Sequence, residues 1–226
     1  GVNAIRTAHN PADEDYIKIC NELGLLVIEE AFDGLNEAKN GNTYDFARYF
    51  EASVDTKLYG AESGMTCSEY AARSMVRRDR NNPAIIAWSF GNEIQEGTYW
   101  NTVDDFAGFC ADFIDWVNEE DGSRPVTSGD NNRGGDSRLV AVLNTIKNSG
   151  GVLGFNYANT ASSLYSLAQN YGGGVIIASE TSSATNSRGQ YLNQNNNSNS
   201  DGAYHLTSYD TSAVSWGITA HDSIYN

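Results

Sequence analysis

Short apolar runs recur along the chain, and the segments between them carry the features of helices. Strands are predicted at six of these runs, residues 2–6, 25–28, 84–88, 125–128, 152–155 and 175–178. Helices are predicted between them, at residues 11–24, 68–78, 103–119, 137–147 and 162–171. Because most of the runs are apolar throughout rather than alternating with polar residues, they are typical of parallel strands buried on both faces. The pattern therefore predicts an α/β fold built from repeated strand–helix units.

Two α/β folds accommodate this alternation, a doubly wound sheet and a (β/α)8 TIM barrel. A dinucleotide-binding doubly wound sheet would carry a glycine-rich phosphate loop after an early strand, and the sequence has none there. Polar or aromatic residues instead follow one predicted strand after another. They are Arg6 with His9, Glu29 with Glu30, Asn92 with Glu93, Asp130 with Asn131, Asn156 with Tyr157, and Glu180. Barrel enzymes gather their catalytic groups at this rim, so the barrel is favoured.

The composition argues against several classes of partner. The formal net charge is −15, from 29 acidic and 14 basic residues, which disfavours nucleic acid and anionic lipid. No apolar run approaches the length of about 18 residues that spans a bilayer, so no membrane partner is expected. Cys20, Cys67 and Cys110 are widely spaced in helix-like segments and are interpreted as reduced packing residues. The chain has no initiating methionine and no signal peptide, so we expect a piece of a longer protein, whose localisation stays open.

Five motifs give the sequence a family resemblance. They are VNAIRTAHNP at residues 2–11, EAFD at 30–33, VRRDRNNP at 76–83, IIAWSFGNE at 85–93 and ASETSSA at 178–184. In this order, and over nearly the whole chain, they resemble the catalytic domain of glycoside hydrolase family 2. That family contains β-galactosidases, β-glucuronidases and β-mannosidases.

The resemblance also implies a domain organisation. Members of the family carry β-sandwich domains before the barrel, a first barrel strand ahead of residue 2 and a last strand beyond residue 226. The six strands of this chain would then be barrel strands two to seven. We therefore expect residues 1–226 to be an incomplete catalytic barrel, with the N-terminal sandwich domains and the C-terminal remainder absent.

Two glutamates close apolar strands in a way that suits glycoside hydrolysis. This reaction needs a carboxylic acid that protonates the leaving oxygen and a carboxylate that meets the oxocarbenium-like centre. Glu93 and Glu180 follow strands that lie across a barrel from one another. The resemblance assigns Glu93 as acid/base and Glu180 as nucleophile, with retention of configuration. Retention implies carboxyl groups about 5–5.5 Å apart, and the two roles demand different pKa values.

Five more residues resemble the family's substrate-binding positions. Asn92 corresponds to the asparagine that bonds the sugar 2-hydroxyl, and Arg6 to the arginine near the nucleophile, although a surface or core-capping arginine is an alternative. Tyr157 corresponds to a tyrosine that donates to the nucleophile, with a packing role as the alternative. His9 is expected to line the sugar site or else to satisfy a backbone carbonyl. Asp33 is expected either to bind substrate hydroxyls or to be a solvated loop acid.

The cofactor and substrate expectations also follow from the resemblance. Some β-galactosidases of the family hold a divalent cation partly through a histidine, but no histidine occurs between His9 and His205, so no metal and no cofactor are expected. A carbohydrate is the expected partner, and a homo-oligomer of the full-length protein is compatible with the sequence.

The expected function is a retaining exo-β-glycosidase acting on β-D-galactosides. The alternatives are a β-glucuronidase or β-mannosidase, or an inactive carbohydrate-binding barrel fragment. Residues 193–200 are expected to form a loop, and His205, Trp216 and His221 receive no function.

Overall fold

The computed structural model describes residues 2–42, 44–132, 134–158 and 161–180. Six strands lie in these ranges: β1 (Ala4–Arg6), β2 (Leu26–Glu30), β3 (Ile85–Asn92), β4 (Val126–Gly129), β5 (Leu153–Asn156) and β6 (Ile176–Glu180). The α-helices between them are α1 (Glu14–Leu23), α2 (Cys67–Asp79), α3 (Val103–Glu120), α4 (Ser137–Asn148) and α5 (Ala161–Asn170). Every predicted strand and helix is therefore present, with ends displaced by a few residues.

The strands pair in parallel and in chain order. β1 to β4 form one ladder and β5 pairs with β6. Backbone hydrogen bonds join β4 to β5, from Asp130 N to Gly154 O at 3.0 Å and from Asn156 N to Asp130 O at 2.8 Å. The sheet is strongly curved, because Arg6 of β1 reaches Glu180 of β6 at 3.0 Å. In a flat sheet these two strands would lie about 24 Å apart. The predicted α/β barrel architecture is thus confirmed for the described strands, and their assignment as barrel strands two to seven stays a prediction.

Capping residues explain where α1 begins and ends. The side chain of Asp13 accepts a hydrogen bond from Asp15 N at 2.9 Å, so the helix begins at Glu14, three residues after the predicted start at Pro11. Gly24 closes the helix with φ of 71°. That left-handed conformation favours glycine, as the predicted stop at this residue implied. These local signals bring the chain back to the sheet at the start of β2.

The hydrophobic core lies between the sheet and its helices. Trp88 of β3 is fully buried, and its indole Nε1 donates to Asp121 Oδ2 at 3.0 Å. Trp88 is therefore a core residue. Phe32, just after β2, packs with its ring centroid 5.1 Å from Phe50 and 6.2 Å from Phe113 of α3. This aromatic packing anchors the long loop between β2 and α2 beside the end of β3.

The three cysteines are free thiols, as predicted. Cys20 and Cys110 are buried on α1 and α3, and Cys67 is partly buried at the start of α2. Burial raises the pKa of the Cys110 thiol, which favours its neutral, packing form.

A close approach of two strands explains why a glycine occupies position 154. A Cβ at this position would collide with the carbonyl oxygen of Ser128 in β4. Gly154→Ala is therefore expected to reduce the free energy of unfolding by about 1–3 kcal/mol. Gly108 of α3 is the matched control, because a Cβ there meets no atom within 4 Å. Gly108→Ala should raise stability by about 0.5–1 kcal/mol. Urea unfolding of both variants makes the comparison, and an unchanged midpoint for Gly154→Ala would contradict this packing.

Some sequence expectations fall on residues outside the described ranges. These are the loop at residues 193–200, the motif residues 181–184, and His205, Trp216 and His221. Among the helices that are described, none has both the length and the apolar character needed to cross a bilayer.

Candidate active site

Arg6 lies at the centre of a polar network on the concave face of the sheet. Its Nε and Nη2 both lie 2.7 Å from Glu30 Oε2, and its Nη1 donates to Glu180 Oε1 at 3.0 Å. Nη2 also donates to Asn92 Oδ1 at 3.0 Å. The position of the guanidinium requires Gly129 on β4, because a Cβ there would lie 2.5 Å from Nη2. One side chain from β1 thus connects β2, β3 and β6.

Glu180 ends β6 and faces this guanidinium. Its side chain is 24% exposed, so the carboxylate is accessible to solvent. His9 lies beside it, with Nε2 at 3.7 Å from Glu180 Oε1. Tyr157, which follows β5, donates its backbone N–H to the carbonyl oxygen of Glu180 at 2.6 Å. Glu180 is therefore held from two sides by neighbouring strand ends.

Glu93 occupies the turn immediately after β3. Its backbone adopts φ of 43° and ψ of 48°, a left-handed conformation that costs a non-glycine residue about 1–2 kcal/mol. The turn is fixed by a hydrogen bond from Glu93 N to Gly129 O at 2.8 Å. The carboxyl oxygen Oε1 accepts from Asn156 Nδ2 at 2.9 Å. Strain at a residue that the surroundings hold firmly is a feature of functional sites.

The surroundings raise the pKa of the Glu93 carboxyl. Burial is the main cause, and the negative charges of Glu96 and Glu180 act in the same direction. The hydrogen bond from Asn156 and the positive charge of Lys39 oppose the increase. Glu93 thus holds a proton more firmly than an ordinary glutamate.

Two amide side chains and the guanidinium of Arg6 connect the two glutamates. Asn156 Nδ2 donates to both Asn92 Oδ1 and Glu93 Oε1, at 2.9 Å each. Asn156 is oriented in turn by Ser179, whose Oγ donates to Asn156 Oδ1 at 2.7 Å. Since Arg6 bonds both Asn92 and Glu180, an unbroken chain of hydrogen bonds runs from Glu93 to Glu180. Strands β1, β3, β5 and β6 all contribute to it.

Glu30 is a buried acceptor that orients other side chains of this network. It is fully buried, and its carboxylate accepts from His9 Nδ1 at 2.8 Å and from Ser89 Oγ at 2.6 Å, in addition to Arg6. The preceding residue, Glu29, points to the opposite face of the strand and binds Arg78 at 2.9 Å. Only one of the two adjacent acids at this strand end therefore belongs to the rim.

The structure brings the predicted site residues to one rim, in different ways. Arg6, His9, Asn92, Glu93 and Glu180 share the network described above, and Tyr157 contacts Glu180 through its backbone. Asp33 is connected to the network through Lys39. Its Oδ1 accepts from Lys39 Nζ at 3.0 Å, and Lys39 in turn donates to Asn92 O at 2.6 Å. The Asp33 side chain is 36% exposed, so it is accessible to solvent.

Several residues of the network are absent from the catalytic and substrate-binding residues predicted from the sequence. They are Glu30, Lys39, Ser89, Asn156 and Ser179. Glu30 and Asn156 carried a usable signal, since each follows an apolar run at a predicted strand end. Lys39 carried none, because it lies in a long polar loop. Within the described part of the chain, no group of three or more His, Cys, Asp or Glu side chains is arranged to hold a metal ion.

Comparison with known proteins gives three findings. Residues 1–149 match the family described as glycosyl hydrolases family 2, TIM barrel domain. A β-galactosidase of Bacteroides ovatus is 26% identical over 266 aligned residues, which cover 99% of this chain and 28% of that protein. A putative β-glucuronidase of Formosa agariphila is 36% identical over 93 residues, 41% of this chain and 7% of that protein.

A solved structure gives the same result at the level of the fold. The glycosyl hydrolase family 2 member from Bacteroides cellulosilyticus superimposes with a TM-score of 0.62 and 31% identity, covering 80% of this chain and 20% of that one. The chain thus spans less than a third of the length of these relatives. The family match extends over more than half of the chain, and the parallel strands carry the expected rim of polar residues. The chain therefore belongs to glycosyl hydrolase family 2, and residues 1–149 match its TIM barrel domain.

Proposed function

We propose that this domain hydrolyses terminal β-glycosides with retention of configuration, through double displacement by Glu93 and Glu180. The observation that carries the proposal is the chain of hydrogen bonds from Glu93 through Asn156, Asn92 and Arg6 to Glu180. It links two carboxyl groups that lie in unlike surroundings. Retention requires a separation of about 5–5.5 Å, close enough for direct attack on the sugar.

The two environments suit two different roles. Glu180 bonds the Arg6 guanidinium at 3.0 Å, which fixes the direction of the carboxylate that is to attack the sugar. Glu93 is bonded by the neutral amide of Asn156, and burial raises its pKa, as a general acid requires. We therefore assign Glu180 as the nucleophile and Glu93 as the acid/base.

The reaction then proceeds in two displacements. Glu180 Oε attacks the anomeric carbon while Glu93 gives its proton to the departing glycosidic oxygen, which leaves a glycosyl ester on Glu180 and an ionised Glu93. In the second displacement Glu93 removes a proton from water, and the water oxygen attacks the anomeric carbon. The ester bond breaks, and the sugar leaves in its original β-configuration, with Glu180 ionised and Glu93 protonated again.

The side chain of Asn92 is set up to bind the sugar as a donor. Its Oδ1 already accepts from Arg6 and from Asn156, at 3.0 and 2.9 Å. That leaves the amide nitrogen to donate to a sugar hydroxyl, for which the 2-hydroxyl is the expected partner. Such a contact strengthens in the transition state and lowers the barrier. His9 and Asp33 are proposed to bind further sugar hydroxyls.

A neutral sugar fits the charges of the described site better than a uronic acid. Arg6 is paired with Glu30 and Glu180, and Lys39 is paired with Asp33. Each of these two cations is already paired with a protein carboxylate, so neither is available to bind a substrate carboxylate. We therefore propose β-D-galactosides, the substrate class in the name of the Bacteroides ovatus relative, ahead of β-glucuronides or β-mannosides.

A panel of p-nitrophenyl β-glycosides tests the proposal on the full-length protein that carries this chain. The galactoside should be hydrolysed fastest, and proton NMR should detect the β-anomer as the first product. Formation of the α-anomer first would contradict retention. Sugar binding without hydrolysis would instead favour a carbohydrate-binding barrel.

A further inference from the structure

Lys39 is a buried lysine at the end of β3 with an unusual set of partners. Its side chain is only 8% exposed, although it lies on the loop between β2 and α2. The ammonium group donates to the backbone carbonyl of Asn92 at 2.6 Å and to Asp33 Oδ1 at 3.0 Å. Lysine is almost never buried unless its charge is paired. The carbonyl that it binds belongs to the peptide that joins Asn92 to Glu93.

The loop that carries Lys39 is docked on the turn that follows Glu93. Gly97 O accepts from the backbone N–H groups of Leu35 at 2.7 Å and Glu37 at 3.2 Å. A Cβ on Gly97 would lie 2.6 Å from Gly34 Cα and 3.2 Å from Lys39 Cγ. The two backbones touch, and the stem of Lys39 passes beside the contact. Two glycines thus create the space through which the ammonium reaches the strand end.

Lys39 brings a positive charge to a carboxyl that otherwise faces negative charges. Glu96 from the same turn and Glu180 from β6 act on Glu93 as negative charges, and Lys39 acts as the opposing positive one. Arg6 of β1 bonds the side chain of the neighbouring residue, Asn92, at 3.0 Å, rather than the side chain of Glu93. Asp33 offsets part of the charge of Lys39 and fixes its direction.

We propose that Lys39 is a positioning residue for the acid/base: its buried ammonium group fixes the Asn92–Glu93 peptide and places a positive charge beside the strand end that carries Glu93. This role rests on the proposed function of Glu93. An acid/base must give up its proton in one displacement and recover it in the other, so a pKa raised without limit by burial would slow the first of these transfers. Lys39 opposes that increase.

Three variants separate the charge of Lys39 from its packing. Lys39→Met removes the charge, Lys39→Arg keeps it, and Lys39→Gln removes it while keeping a donor for the Asn92 carbonyl. Without the charge the pKa of Glu93 should rise, so the basic limb of the pH profile of kcat/KM should move to higher pH. kcat should fall by about 10–100-fold, as for other supporting partners of reactive groups. Lys39→Arg should retain the wild-type position of the limb.

Lys147→Met is the matched control, because Lys147 is a half-buried lysine in the last turn of α4. It should leave the pH profile unchanged. A lower kcat in Lys39→Met and Lys39→Gln with an unmoved basic limb would reduce Lys39 to a packing residue and overturn the proposal.

A second measurement does not depend on turnover. In protein labelled with carbon-13 at the glutamate carboxyl carbons, the resonance of Glu93 is identified by its loss in Glu93→Gln, and its titration is followed in each Lys39 variant. A higher pKa of Glu93 in Lys39→Met and Lys39→Gln supports the proposal, and an unchanged pKa refutes it. Absence of glycosidase activity in the wild type would refute the proposed function alone, because the titration still reports on Lys39.

Discussion

Glutamine in place of Glu180 is expected to reduce the turnover of aryl β-galactosides on the order of 10⁴-fold or more. The amide cannot form the glycosyl ester, so both displacements are lost together. Arg6 would then face Glu30 and a neutral side chain instead of two carboxylates, and the variant should remain folded because the buried pair with Glu30 persists at 2.7 Å. Steady-state kinetics with p-nitrophenyl and dinitrophenyl galactosides makes the measurement, and both substrates should be affected alike.

Glu93→Gln should fail in a different way. Loss of a general acid costs typically about 10²–10⁴-fold, but a dinitrophenolate leaves without needing a proton. The variant should therefore form the glycosyl ester readily from the dinitrophenyl galactoside and then stall, because no base activates water. Azide needs no base, so it should accelerate turnover and yield the β-galactosyl azide.

Each outcome can contradict the assignment separately. Azide rescue of Glu180→Gln in place of Glu93→Gln would exchange the two roles. Near-normal turnover in either variant would exclude that residue from the reaction. Glu62→Gln is the control, because Glu62 is an exposed loop glutamate outside the network and its substitution should change kcat little.

The fold could be predicted closely because parallel strands buried on both faces leave a continuous apolar signal. The largest displacement is at β3, which was predicted to end at Trp88 and extends to Asn92. Residues 89–92 contain serine, glycine and asparagine, which favour turns by local preference. Pairing with neighbouring strands outweighs that preference, since Ser89 O accepts from Ala31 N at 3.0 Å and Asn92 N donates to Phe32 O at 3.2 Å. Such ladder bonds join residues distant in sequence and leave no local trace.

The candidate site shows the same division between local and tertiary information. Glu29 and Glu30 follow the same apolar run, and nothing local distinguishes them. The register of β2 against β3, which places Glu29 opposite Trp88 and Glu30 opposite Ser89, decides which one faces Arg6 and the polar network. Lys39 could not be predicted at all, because its position depends on the contact between Gly34 and Gly97.

Glu29, on the outer face of β2, forms a buried carboxyl pair with Asp79 at the end of α2. Both residues are fully buried, and Arg78 is their common cation, at 2.9 Å from Glu29 Oε1 and 2.5 Å from Asp79 Oδ2. Glu29 Oε2 and Asp79 Oδ1 receive no donor from any other described group. A single cation cannot neutralise two buried carboxylates, so a proton shared between these two oxygens accounts for both.

The proton on this pair should persist at neutral pH. Burial, followed by the charge of Asp79, raises the pKa of Glu29 to about 8, whereas an ordinary glutamate has a value of 4.5. Between pH 4.5 and about 8 the folded protein therefore holds a proton that the unfolded chain releases. The stabilisation from this proton is complete below pH 4.5 and is lost progressively as the pH rises through about 8. The expected slope is at most about 1.4 kcal/mol per pH unit.

Glu29→Gln is expected to remove this pH dependence. The amide of glutamine donates permanently to Asp79 Oδ1 and accepts from Arg78, so it reproduces the protonated pair at every pH. Urea unfolding from pH 5 to 9 should show the wild type losing stability up to about pH 8 and levelling off above it, with the variant more stable than the wild type at the alkaline end. Glu22→Gln on the exposed face of α1 should keep the wild-type slope. Equal slopes in the wild type and Glu29→Gln would show that Glu29 is ionised in the folded protein, and that Arg78 alone compensates the buried pair.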